Sequence, residues 1–144
     1  MLHVSIAGSD TDETDLLYKA YFFALKELMP RKQNLDVEIT LTDIEGDADG
    51  FHMEVEKDVH EIELQQGLIE EDMITALFHE MVHVRQHCRG WLKDKGLIKT
   101  WKGEDYIAAY STVDEYMALP WEAEAYKLQE ELYTKWNDTR SVNP

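Results

Sequence analysis

Cysteine, proline and positive charge are all scarce in this chain. A lone cysteine, Cys88, among 144 residues excludes an intrachain disulfide and a thiolate-rich metal cage. Of only three prolines, Pro30 ends the first helical run and Pro120 opens the last. Lysine and arginine number 14 against 30 aspartates and glutamates, a net charge of −16. That balance argues against nucleic-acid binding through phosphates, which needs basic clusters. It reads instead as a solvated acidic surface that favours cationic partners. No apolar run approaches the ~20 residues that cross a bilayer, so no membrane span is expected. Residues 1–8 show neither a basic region nor a long apolar stretch, so no secretory leader is expected and a cytoplasmic setting is the default.

What is present has the composition of a folded protein, 44% hydrophobic and 10% aromatic. The length suits one domain, 1–144, with a single core. No repeat, low-complexity tract or linker divides it.

Residues 2–7 suit a short first strand. Asp10 and Glu13 are spaced as a capping box, and Leu17, Tyr21, Ala24 and Leu28 share one face of a helix over residues 12–29. Val37, Ile39 and Leu41 alternate with polar residues, the period of a half-buried strand. Residues 51–55 and 59–64 read as two further strands in a hairpin around Lys57 and Asp58. A helix follows over residues 70–88, with Glu70, Glu71 and Asp72 in its first turn, and Arg85 and His87 near its end; Gly90 is its stop. The segment 91–116 reads as a short hairpin or irregular loop, residues 120–136 as a last helix, and residues 141–144 as a frayed tail. The fold class is α+β: a small, mostly antiparallel sheet packed on an N-terminal, a central and a C-terminal helix.

The central helix carries His79-Glu80-Met81-Val82-His83, an H-E-x-x-H. Residues four apart lie on one helical face, so His79 and His83 can hold one zinc ion, with Glu80 between them as general base. Leu77, Phe78, Met81, Val82 and Val84 surround them, and burying two histidines and a glutamate there is costly unless they pair or bind metal. His87 cannot be the third ligand, because eight residues of unbroken helix separate it from His79 by about 12 Å. It reads as a surface or supporting residue. In the last helix Trp121, Glu124, Ala125, Leu128 and Leu132 share a face, which puts a carboxylate on an apolar stripe. Glu124 is therefore the favoured third ligand. Glu122, on nearly the opposite side, is the alternative with an ordinary surface reading.

With these residues the chain resembles the zincin metallopeptidases, and more closely the gluzincins, in which a glutamate from a later helix, often followed by alanine, completes H-E-x-x-H. Glu124-Ala125 matches that pairing. Pro120-Trp121-Glu122-Ala123-Glu124-Ala125 is similar to a segment of small zincin-like proteins, many of them from phages. The resemblance spans about residues 36–135. It implies a sheet ahead of the active-site helix, zinc held by His79, His83 and Glu124, and peptide-bond hydrolysis by a zinc-activated water with Glu80 as base. The chain departs from the pattern at Arg85, in its longer interval from His83 to Glu124, and in lacking an identifiable aspartate to orient a histidine. Tyr106, Tyr110 and Tyr116 are candidates for stabilising the oxyanion, although packing alone would explain each of them. The edge of the strand at residues 60–64 is a place for an extended peptide.

Weaker signals have plainer readings. Glu45, Asp47, Asp49, Gly50 and Glu56 match calcium-loop positions but stand between strands, where an acidic turn is the simpler account. Trp91, Trp101, Trp121 and Trp136 read as filling the core and cleft walls. Cys88, near a helix C-terminus, reads as inert. The leading expectation is a zinc metallopeptidase acting on a peptide or protein substrate. The alternative is a zincin-derived interaction module with a structural zinc and an acidic binding surface. An acidic nucleic-acid mimic without metal would leave the buried histidines unexplained.

Overall fold

The computed structural model describes residues 1–107 and 110–142, with side chains through residue 140. Among the described residues, two sheets and four helices run in the order β1 (Leu2–Ala7), α1 (Thr11–Leu28), β2 (Leu35–Thr42), β3 (Gly50–Glu56), β4 (Val59–Gln65), α2 (Glu70–Cys88), β5 (Leu92–Lys95), β6 (Ile98–Trp101), β7 (Glu104–Ile107), α3 (Val113–Ala118) and α4 (Pro120–Val142). The mixed α and β character matches the expectation. Among the described residues no helix is long and apolar enough to cross a membrane.

The first sheet has the order β1-β2-β4-β3. It is not mostly antiparallel as expected. β1 pairs parallel with β2, β2 pairs parallel with β4, and only β3 runs antiparallel, against β4. The reason is topological. α1 carries the chain back along the sheet, so β2 enters in the direction of β1. The loop after β2 then takes β3 to the outer edge, and the hairpin at Lys57-Asp58 returns β4 into the space between. Alternation along a strand reports which side is buried and says nothing of direction or neighbour. For the same reason the strand expected to offer a free edge, residues 60–64, is interior; the free edges belong to β1 and β3.

One face of this sheet is apolar. Leu35, Val37, Ile39 and Leu41 of β2, with Ile62 and Leu64 of β4, pack beneath α1, α2 and α4. Asp36, Glu38 and Glu63 point to the other, solvated face. The α1 helix starts at the Asp10–Glu13 capping box, both of whose hydrogen bonds form, and buries Leu17, Ala20, Tyr21, Ala24, Leu25 and Leu28. The α2 helix buries thirteen residues along Met73 to His87, so it is a core helix wetted on a narrow stripe. Trp136 joins Phe23 and Phe78 in the main core.

Segment 91–116 is more regular than expected. The β5-β6-β7 meander and α3 occupy it, and Trp101 and Trp121 with Leu92 form a second small cluster. Of the expected frayed tail, Ser141 and Val142 close α4, and residues 143 and 144 lie outside the described residues.

Gly8, just past β1, has φ of +82°, and a Cβ placed there would sit 2.2 Å from the Leu41 carbonyl oxygen. The neighbour is backbone in the middle of the sheet and cannot swing away. Gly8→Ala is expected to destabilise the fold by about 2–4 kcal/mol, from the left-handed backbone penalty and the displaced strand. That is roughly a 10 °C fall in Tm by calorimetry.

Candidate metal centre

Two buried helices meet at the site. On α2, His79 and His83 are one turn apart and 7% exposed; on α4, Glu122 is 6% exposed. His79 Nε2 lies 2.9 Å and His83 Nε2 3.3 Å from the same oxygen, Glu122 Oε1. Two nitrogens and one carboxylate oxygen thus fall within 4.8 Å of one another, a set able to hold a metal ion.

Glu124, the favoured third ligand from sequence, does not join them. Its Oε1 accepts from Gln86 Nε2 at 3.2 Å and faces Arg85 Nη2 at 3.4 Å. The helical phase explains the correction. α4 buries a broad arc that includes Trp121, Glu122, Ala125, Leu132 and Trp136. Glu122, Tyr126 and Gln129 lie on the flank facing His79; Glu124 lies on the other flank, facing the end of α2. The apolar stripe correctly marked the buried face, but the metal donors stand at its margin.

Two glutamines missing from the sequence reading set the histidine tautomers. Gln86 spends its amide N–H groups on the Trp121 carbonyl at 3.0 Å and on Glu124, which turns its oxygen to His83. His83 Nδ1 donates to that oxygen at 2.7 Å. Likewise Gln129 Nε2 donates to Glu130 at 3.2 Å, and His79 Nδ1 donates to Gln129 Oε1 at 2.7 Å. With both Nδ1 atoms protonated, both Nε2 lone pairs face Glu122 in the neutral rings. Lone pairs aimed at a carboxylate repel it unless a cation or protons intervene. These amides do the work expected of an orienting aspartate. The available signal was positional: Gln86 lies three residues past His83, and Gln129 seven past Glu122.

Without metal, protons fill the gap. Burial by itself would lower the His83 value, but the Glu122 carboxylate overrides it and raises His83 to about 9. Burial would raise Glu122, and the two histidines instead pull it down to about 2. Burial raises the Glu80 carboxyl, partly offset by His83 and His79. Glu80 is 6% exposed and accepts no hydrogen bond among the described residues. Gly50 of β3 makes room for it, since a Cβ there would lie 2.9 Å from Glu80 Oε2.

The site opens into a groove of about 1050 Å³ between β3, α2, α3 and α4. Tyr110 and Tyr116 line it, whereas Tyr106 packs edge-on against Trp121 and donates to Glu104. Burial and the Glu122 carboxylate, which accepts from its phenol, hold the Tyr116 hydroxyl well above the ordinary phenol range. No protein-family model, no curated protein and no solved structure matches this chain. The chemistry of the site is therefore read from its own geometry.

Behind the triad lies a second group of histidines. His52 Nε2 and His60 Nδ1 are 2.8 Å apart, and His60 Nε2 is 3.7 Å from the Cys88 sulfur. His87, expected as a surface or supporting residue, is buried, with Nδ1 3.7 Å from Glu54 Oε1 and without a hydrogen-bond partner. Burial pushes the Cys88 thiol up to about 11, so no thiolate is available at neutral pH. Burial also lowers His60 and His87 to about 4 each, with His87 adding to the effect on His60. Both folded values lie below the ~6.5 of an unfolded histidine. Their contribution is thus intact above pH 6.5 and lost as pH falls towards 4, where the unfolded chain binds more protons. In metal-stripped protein, His60→Asn is expected to narrow the Tm difference between pH 7.5 and pH 4.5 by about 5 °C.

The acidic turn at residues 43–49 joins β2 to β3, and its Asp47 and Asp49 line the groove.

Proposed function

We propose that this protein is a zinc-dependent metallopeptidase, with zinc held by His79, His83 and Glu122 and with Glu80 as general base. The observation that carries the reading is the convergence of two Nε2 atoms on one carboxylate oxygen at 2.9 and 3.3 Å, with both rings tethered at Nδ1. Tetrahedral zinc with ligand bonds of about 2.0–2.2 Å sets neighbouring donors roughly 3.3–3.5 Å apart. Three protein ligands with neutral imidazoles and a carboxylate are the donor set of a catalytic rather than a closed structural site. Zinc bound there supplies Lewis acidity, making water a stronger nucleophile and a carbonyl a better electrophile.

The side chains have distinct tasks. Glu80, buried, free of hydrogen bonds and raised in pKa, takes the proton of the attacking water and returns it to the leaving amine. Tyr116 lines the groove and keeps its proton at physiological pH; to serve a developing oxyanion its O–H has to leave the Glu122 carboxylate that accepts it in the free protein. Gln86 and Gln129 hold the imidazoles in register and exclude alternative tautomers. The substrate is a peptide or protein segment in the groove beside β3.

The test is cleavage of a mixed peptide library by zinc-loaded protein, followed by mass spectrometry. Internal cleavage that disappears with a chelator and returns with zinc is the expected result. A protein that binds one zinc tightly and cleaves nothing would overturn the peptidase reading.

A further inference from the structure

The charge of this chain is segregated. Residues 85–102 hold six of its fourteen lysines and arginines but only one of its thirty carboxylates, Asp94. The remainder carries eight cations against 29 carboxylates. A chain that is acidic elsewhere thus has one cationic stretch, and the fold gathers part of it at a single place.

Trp91, in the bend between α2 and β5, is the centre of that gathering. The Lys102 ammonium lies 4.9 Å from its ring centroid, the Arg85 guanidinium 5.4 Å and the Arg89 guanidinium 5.9 Å. Any two of these cations are therefore no more than about 11 Å apart. Lys93 joins them from β5. It stands on the strand face opposite Leu92 and Asp94, which line the groove, and its Cε lies 3.9 Å from where a Cβ on Gly90 would be. Asp94 neutralises Lys99 at 2.8 Å, and Arg85 has Glu124 at 3.4 Å. Arg89, Lys93 and Lys102 are exposed and have no ion pair among the described residues.

Arginines in a last helical turn complement the helix dipole, which accounts for Arg85 and Arg89 on α2. It does not account for Lys93, or for Lys102 in the turn between β6 and β7. That two-residue turn has positive φ at both central residues, +49° at Lys102 and +88° at Gly103. Asparagine suits the first position better than lysine. The Lys102 N–H nevertheless donates to the Trp91 carbonyl at 2.7 Å, which pins the lysine beside the ring. The ring attracts each cation, but the cations repel one another, and an anion bound among them relieves that repulsion.

We propose that Arg85, Arg89, Lys93 and Lys102 around Trp91 form a docking site for an acidic segment of another protein. Clustered arginines and lysines recognise carboxylates by charge and by the fork geometry of the guanidinium. A span of about 11 Å accommodates three or four extended residues at ~3.3 Å each, so the segment is a short run of aspartates and glutamates. Nucleic acid fits less well. Three cations already crowd the Trp91 ring, which makes it a poor platform for a stacked base, and a longer polyanion would run onto the acidic remainder of the surface. The site stands outside the groove wall and does not depend on the metallopeptidase reading.

The experiment uses zinc-loaded full-length protein and fluorescent ten-residue peptides, with four central positions either Asp/Glu or Ser/Gln, beside a ten-nucleotide oligothymidylate. Binding is read by anisotropy at 150 and 500 mM salt, where the Debye length is about 8 and about 4 Å, so that remote carboxylates are screened in both. The acidic peptide is expected to bind at least tenfold tighter than the neutral one at 150 mM, and that advantage to shrink at least twofold at 500 mM. Lys93→Gln with Lys102→Gln is expected to cut it below threefold. Lys26→Gln with Lys57→Gln, which removes two exposed charges elsewhere, is expected to leave it within twofold. No preference for the acidic peptide, or a preference that survives the Lys93 and Lys102 exchange, would overturn the proposal. So would an equal loss from the Lys26 and Lys57 exchange, or tighter binding of the oligothymidylate. Acidic-peptide binding that vanishes with a chelator would assign the peptide to the metal centre and overturn it as well.

Discussion

Glu122→Ala is expected, on the proposed zinc reading, to reduce the metal taken up from one ion per chain to a small fraction, with affinity falling at least ~100-fold. Glu122 Oε1 is the oxygen on which both histidines converge, at 2.9 and 3.3 Å, so its removal leaves two ligands where zinc needs three from the protein. Glu124→Ala is the informative companion. Glu124 supports Gln86, which orients His83, and Gln86 keeps the Trp121 carbonyl as a second acceptor. Removing a group that directly supports a ligand typically costs 10–100-fold in affinity. Glu124 acts one step further out, so a loss of tenfold or less is expected. Elemental analysis and competition with a chromophoric chelator read both variants, and circular dichroism confirms that each is folded. Zinc lost from Glu124→Ala but kept by Glu122→Ala would mean that the donors on α4 are assigned to the wrong flank.

On the proposed metallopeptidase reading, Glu80→Gln is expected to keep bound zinc and to lose peptidase turnover by about 10²–10⁴-fold, the usual worth of a positioned general base. Glutamine fills the same space beside Gly50, so the packing of β3 on α2 survives the exchange. Its amide cannot accept the proton of the nucleophile. A fall in kcat with KM little changed is the expected signature, since the interaction is made in the transition state. Undiminished cleavage by Glu80→Gln would remove Glu80 from the chemistry, whatever the metal content. Loss of zinc together with activity would instead give Glu80 a role in holding the triad.

These two outcomes also bear on how much of the site was legible beforehand. His79, Glu80 and His83 were legible because four-residue spacing on a helix is a local property, and α2 declared itself through its charge bias and apolar flanks. The α4 carboxylate was not. Glu122 and Glu124 are two residues apart on one helix, and which flank faces His79 depends on the rotation of α4 against α2. That rotation is set by the packing of Trp121, Ala125, Leu132 and Trp136 against two different clusters. No local pattern contains it. Gln86 and Gln129 carry no sequence signal for a related reason: a glutamine becomes an orienting group only when its amide nitrogen is already committed elsewhere, to the Trp121 carbonyl and Glu124 or to Glu130.

By itself, then, the sequence determined the elements that local periodicity controls. These are the capped helix α1, the half-buried strand β2, the hairpin at Lys57-Asp58, the core helix α2 with its H-E-x-x-H, and a buried face on α4. Only the tertiary structure decided what depends on the relation between elements. The parallel pairing of β1, β2 and β4 arises from a helical return and an edge hairpin, which leave no mark on alternation. It also decided that β3, rather than β4, is the free edge beside the groove, and that Glu122 rather than Glu124 meets the histidines. The physical reason is common to both: spacing along a helix or strand fixes the angles within an element, while direction, neighbour and rotation are settled by which apolar surfaces can be buried together.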